Sequence, residues 1–206
     1  RTVTRSSTST VESDAVTSGD VVQNPYQLLT WFVGRGKQGG AALTAAEQGV
    51  VTGFRTRNLP VFFSGDGTAS TQLLTAFSGA AAGTPGGLLV NGADALMGLD
   101  GMRLDDGTAG SFDTGAPPAI TALGPAIQLA SYVSGGSAAI GTPGQSVMVG
   151  FPFETLAERP TRVAVMCRVL DFLDPTSFDC APPDAGTVLD AGAPAAGATG
   201  EDAGVL

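Results

Sequence analysis

The sequence predicts an α/β fold with an open, mostly parallel, flavodoxin-like sheet in three layers, and three observations predict it. Residues 27–34 (QLLTWFVG) form an apolar run rich in aromatic and branched side chains and ended by glycine. A helix signature follows over 43–57. A second apolar run, 59–63, then stops at Ser64-Gly65-Asp66-Gly67. Strand, helix and strand in that order are the pattern of a parallel β-α-β unit.

Residues 1–24 read as a partial N-terminal strand over Arg1 to Arg5 followed by loop, since Thr and Val favour extended backbone. Pro25 then holds Asn24 extended before the 27–34 strand, which is expected to be central. In the helix that follows, Thr44 can cap the first N–H groups while Glu47 reaches back, a reciprocal capping box. Val50, Val51 and Phe54 share one face, with Arg55 and Arg57 near the C-terminal end of the helix dipole. A second helix is expected over 68–77, with Leu73, Leu74 and Phe77 facing inward.

From 79 to about 145, Gly, Pro and Asp punctuate short apolar runs, which read as a β-rich insertion in an α/β domain spanning 25–180. Asp105-Asp106-Gly107-Thr108 reads as a hairpin turn with a return strand over 111–113. Residues 145–151 (QSVMVGF) read as a third core strand. Arg159-Pro160-Thr161 opens a last helix, with Val163, Met166, Cys167, Leu170 and Leu173 on one side. Residues 181–206 are Ala, Gly, Pro and Asp of low complexity and are expected to be a disordered tail.

A chain of 206 residues fits one domain plus tails. The net charge of −9, with only ten Lys and Arg, argues against nucleic acid and against anionic membranes. No apolar run approaches the roughly 20 residues of a membrane span. No signal peptide is recognisable, and Arg1 reads as a processed or truncated start. The absence of histidine removes the usual general base, the usual metal ligand and every Ser-His or Cys-His device. No metal site and no cofactor are expected. Cys167 and Cys180 read either as a disulfide, which would contribute about 3 kcal/mol and imply an oxidising compartment, or as two thiols.

The residues Ser64, Gly65, Asp66, Gly67 and Thr68 stand where a parallel strand ends and a helix begins, the place where open α/β sheets bind ligands. A glycine-permitted turn with Asp66 or Thr68 capping the helix explains the same letters. They echo the Asp-x-Asp-Gly-Thr motif of haloacid-dehalogenase-like phosphatases, but Ser64 occupies the nucleophile's place. A serine elbow would need glycine where Phe62 stands, and a histidine. Carboxylate pairs for glycoside chemistry could come from Asp66, Asp100, Asp105, Asp106, Asp113 or Glu154, most of them beside turn glycines. No catalytic residue is assigned. Trp31 and Phe32 read as core.

Residues 26–34 (YQLLTWFVG), 43–48 (LTAAEQ), 59–65 (LPVFFSG), 149–155 (VGFPFET) and 162–173 (RVAVMCRVLDFL) together resemble a known family. It comprises the class I glutamine-amidotransferase-like domains of large secreted bacterial proteins, of the xanthan-lyase and golvesin-associated type. The resemblance runs over 26–173 and implies a flavodoxin-like fold and a secreted or cell-surface setting. The family's opening strand and helix are missing, which implies an incomplete sheet edge covered by a protein partner or a preceding fragment. Its Cys-His-Glu machinery has no counterpart. The expected function is a non-catalytic accessory or assembly domain of an exported protein. The alternatives are a subunit acting on polysaccharide through Asp66 and Glu154, with a glycan as partner, and a small-ligand module at Ser64–Thr68.

Overall fold

The computed structural model describes residues 27–33, 43–65 and 71–176. Among them are nine strands in one mixed sheet: β1 (Leu29–Phe32), β2 (Val61–Ser64), β3 (Gly79–Pro85), β4 (Leu89–Gly92), β5 (Met102–Arg103), β6 (Pro118–Ala122), β7 (Ile127–Tyr132), β8 (Ser137–Thr142) and β9 (Ser146–Val149). Three α-helices accompany them: α1 (Ala45–Thr56), α2 (Thr71–Ala76) and α3 (Arg159–Leu173).

The sheet is not the open, mostly parallel, flavodoxin-like one that the sequence pattern suggests. Its main path runs β1-β2-β9-β8-β7-β4-β5. Only β1 with β2 and β2 with β9 are parallel. The pairs β9–β8, β8–β7, β7–β4, β4–β5, β8–β6 and β6–β3 are all antiparallel. The stretch expected as an insertion supplies β3 to β8 and is continuous with the rest through the β8–β9 ladder. Short turns dictate two of these, β7–β8 and β8–β9, since paired strands joined by three or four residues can only run antiparallel. Gly135 and Gly136, at φ of 106° and 79°, turn β7 into β8, and Gly144, at 67°, turns β8 into β9.

The sheet curls as a half-barrel because it branches at β8. The C-terminal part of β8 pairs with β9 from Ala139 to Thr142. At Ser137 the strand faces Ser131 of β7 on one side and Ile120 of β6 on the other. Strand β6 thus takes over the edge that β9 leaves at Val149, and brings β3 with it.

Alternation along β2 splits the core in two. Val61 and Phe63 face α1 and α2, packing with Val50, Val51, Phe54, Leu73, Leu74, Phe77 and Met148. Phe62 faces the other way, towards Val147, Val149, Leu129, Val165, Val169 and Leu173. Each fully buried aromatic or aliphatic side chain of this kind contributes about 1.5–3 kcal/mol of transfer free energy. Helix α1 starts as expected: the Thr44 N–H donates to the Glu47 carboxylate at 2.5 Å, and the Glu47 N–H donates to the Thr44 hydroxyl at 3.3 Å. At its other end Arg55 donates to the carbonyls of Ala76 and Gln145, tying α1 to α2 and to the β8–β9 turn.

Two local expectations need correction. Strand β1 has β2 as its only strand neighbour among the described residues, so it is outermost rather than central, and Phe32 is 45% exposed. Helix α3 presents Val165, Val169 and Leu173 to the core at i, i+4 and i+8, while Val163 is exposed. The helix touches the sheet along a narrow stripe, which leaves Met166, Cys167 and Leu170 half-buried on its flanks. The expected strand at residues 1–5, the 181–206 tail and Cys180, the expected partner of Cys167, lie outside the described residues.

Candidate functional site

The parallel strands β1, β2 and β9 end level with one another, with Phe32, Ser64 and Val149 in register. At this end the chain leaves β9 through Phe151-Pro152 into a 3-10 turn, Phe153–Thr155. Ser64 controls that exit. Its side chain is fully buried, its hydroxyl donates to the Phe151 carbonyl at 2.9 Å, and it accepts the Phe153 N–H at 2.7 Å. The single O–H donor and one acceptor lone pair are spent on backbone in a fully buried position, so Ser64 braces β2 against the β9 exit. Gly65 is closely packed at the same end: a Cβ there would stand 3.0 Å from the Val33 Cβ, a tight contact that Val33 would have to yield to by a few tenths of an ångström. Asp66, Gly67 and Thr68 lie outside the described residues. Ser64→Ala strands a buried N–H and a carbonyl and should cost about 2 kcal/mol. A urea midpoint that falls at constant slope checks it.

Glu154, the other residue singled out from the sequence, stands on the 3-10 turn that Ser64 braces. It lines an open cleft of about 380 Å³ with Phe153, Arg162, Ala109, Gly110 and Ser111. Phe153 is also one corner of an aromatic trio: ring centroids of Phe32, Phe62 and Phe153 lie 5.6–5.9 Å apart, with edge-to-face contacts on Phe62. The trio links the exposed β1 edge to the cleft wall.

The wall opposite is built by Asp105, a residue that sequence reasoning left among turn aspartates. Asp105 is buried and its carboxylate takes three backbone bonds: from Gly107 and Ala109 at 2.8 Å and from Ser111 at 2.7 Å. Its own carbonyl accepts the Thr114 N–H and hydroxyl, and its N–H donates to the Thr155 carbonyl at 2.7 Å. These bonds, that from Ala109 foremost, hold the Asp105 carboxyl below its ordinary value against the opposing effect of desolvation. The hairpin turn expected at Asp105–Thr108, with its return strand over 111–113, is therefore a wider loop wound around one carboxylate, closed by a single bridge between Asp106 and Asp113. Asp106 is also held below its ordinary value, first by the Thr108 hydroxyl and then by Arg103 at 2.9 Å.

Arg162, in the first turn of α3, uses one guanidinium nitrogen to hold the carbonyls of Leu156 and Ala157. Its other nitrogens carry three further N–H donors. Arg162 and Ser111 were not legible as site residues. Their meeting depends on the Leu104–Leu156 bridge, which draws the Asp105 loop beside the β9 exit. Asp100 and Asp113 are exposed, the latter in the bridge that closes the Asp105 loop, and no cluster of metal-ligating side chains occurs among the described residues.

Together these features define a mixed α/β sheet domain with a small cleft of balanced charge at the carboxyl end of its parallel strands. Comparison with models of known protein families and with curated proteins finds no match.

Proposed function

We propose that this chain is a non-catalytic accessory or assembly domain of a larger exported protein, working by protein contact along the β1 edge. The observation that carries the reading is the strand itself. The N–H groups of Leu29 and Val33 are bonded to β2, at the carbonyls of Pro60 and Ser64. By the alternation of a parallel ladder, the N–H groups of Thr30 and Phe32 point the other way, where no described strand stands. An edge of this kind is a template for an added strand, and the exposed Phe32 ring supplies apolar area beside it. The lack of histidine and the full engagement of Ser64 and Asp105 in backbone bonds support a role without turnover. The extracytoplasmic setting rests on the residue resemblance.

Amide hydrogen exchange on the whole chain tests the edge. The Thr30 and Phe32 amides should exchange rapidly in the isolated protein while those of Leu29 and Val33 are protected. Adding the remainder of the parent protein should protect the first two. If Thr30 and Phe32 are already protected in the isolated monomer, the edge is closed from within and the reading fails.

A further inference from the structure

The cleft between the Asp105 loop and the start of α3 contains opposite charges that do not neutralise each other. Glu154 and Arg162 line the same hollow, yet no ion pair joins them. Among the described residues the Glu154 carboxylate and the Ser111 hydroxyl have no hydrogen-bond partner, and three Arg162 donors are uncommitted. Phe153 supplies an apolar wall beside them. A volume of about 380 Å³ lies within the usual small-ligand range of roughly 300–1,000 Å³.

The pattern selects a ligand by elimination. An anion would meet Glu154 and the field of a chain with a net charge of −9. A cation would meet Arg162. An uncharged apolar molecule would leave both charged groups facing it without a partner. A zwitterion satisfies every wall at once: ammonium to Glu154, carboxylate to Arg162 and the Ser111 hydroxyl, apolar substituent against Phe153. We infer that this cleft binds a small amino-carboxylate with an apolar side chain, of the size of a free amino acid or a dipeptide. Asp105 is then a positioning residue, because its carboxylate holds the N–H groups of Ala109 and Ser111, two residues of the cleft lining. The cleft touches the β1 edge only where Phe153 packs on Phe32, and the ligand contacts at Glu154, Arg162 and Ser111 involve no β1 residue, so loss of ligand binding would leave the proposed assembly role untouched.

Saturation-transfer NMR on the whole chain tests it, with valine, leucine, methionine, phenylalanine and the dipeptide Leu-Leu as probes. The open cleft sets the expected dissociation constant on the order of millimolar. N-acetyl-leucine, lacking the ammonium, and leucinamide, lacking the carboxylate, should each bind at least about tenfold more weakly, the equivalent of one lost charge-assisted contact. Glu154→Gln should lose binding with an unchanged Tm, because that carboxylate holds nothing else in place. A tighter signal from Leu-Leu than from leucine would identify peptides as the source, and the reverse would identify free amino acids. No transfer from any probe, equal binding of leucine and N-acetyl-leucine, or undiminished binding by Glu154→Gln would each overturn the inference.

Discussion

Replacing Gly92 by alanine is expected to cost at least about 4 kcal/mol, the range reached only when a substitution collides with something that cannot move away. Gly92 ends β4 and pairs with Ala130 of β7. The chain then folds back over it: the Gly92 N–H donates to the Leu99 carbonyl, and a Cβ on Gly92 would sit 1.8 Å from the Leu96 carbonyl oxygen. That oxygen is backbone, and the segment carrying it is fixed twice. Leu96 is buried in the core, and Arg168 of α3 donates to the carbonyls of Ala95 and Met97 on either side. A methyl group on Gly92 must therefore push Leu96 out of the core or part β4 from β7. Gly53→Ala is the matched control. It lies within α1 with nothing inside 4 Å of the added carbon, so it should raise stability by about 0.5–1 kcal/mol. Denaturant unfolding of both variants decides the matter. Equal midpoints would mean that the 93–99 loop yields freely.

Asp105→Asn should give the second large loss, and one that depends on pH. The substitution keeps the shape of the side chain but replaces one carboxylate oxygen by an NH₂ group, which cannot accept. If it occupies the Oδ2 position it faces the Ser111 N–H donor to donor; if it flips, it faces Gly107 and Ala109. The native carboxyl is held below its ordinary value of 3.8. Its contribution is therefore complete above that value and disappears as pH falls through the lower native one. The Tm difference between wild type and Asp105→Asn should be large at pH 7 and shrink steadily below about pH 4, the unfolded-state range of aspartate. A difference that stays constant down to pH 2 would show that the loop does not depend on the charge. Limited proteolysis within 105–114 should accelerate in the variant at neutral pH and not in wild type.

What could be read from the letters was local. The capping box of Thr44 and Glu47, the inward set Val50, Val51 and Phe54, and the buried run ending at Ser64 all depend on neighbours a few positions away. Strand direction was less legible, although part of the information is present. Turns as short as those after Tyr132 and Thr142 exclude a parallel crossover, and they outweigh the helix–strand alternation confined to 29–64. The position of β1 at the edge could not be read, because a strand's neighbours are set by pairing at long range, and QLLTWFVG has the same composition whether one or two strands flank it. The cleft was half visible. Glu154 was singled out, as a member of a carboxylate pair and as a ligand contact, while Arg162, which lines the same cleft from the next helix, was not. Ser64 was singled out for its place at a strand end, and that place is what consumes it: a hydroxyl there meets the backbone of the β9 exit before it can meet solvent.

The bond between Ser64 and the Phe151 carbonyl spans 87 residues of sequence. In a chain made from its N-terminus, β2 is complete long before the strand that flanks it inside the sheet exists. Its four buried positions must wait while β3 to β8 are synthesised, and loop closure over that distance is slow compared with forming the β7–β8 and β8–β9 hairpins. The hairpins are therefore expected to form first and to template β1, β2 and α1, an order that pulse-labelled hydrogen exchange during refolding would read as early protection of 127–149 and later protection of 61–64. The apolar run of β2 is thus the stretch expected to need shielding for longest, until β9 has been made and can pair with it.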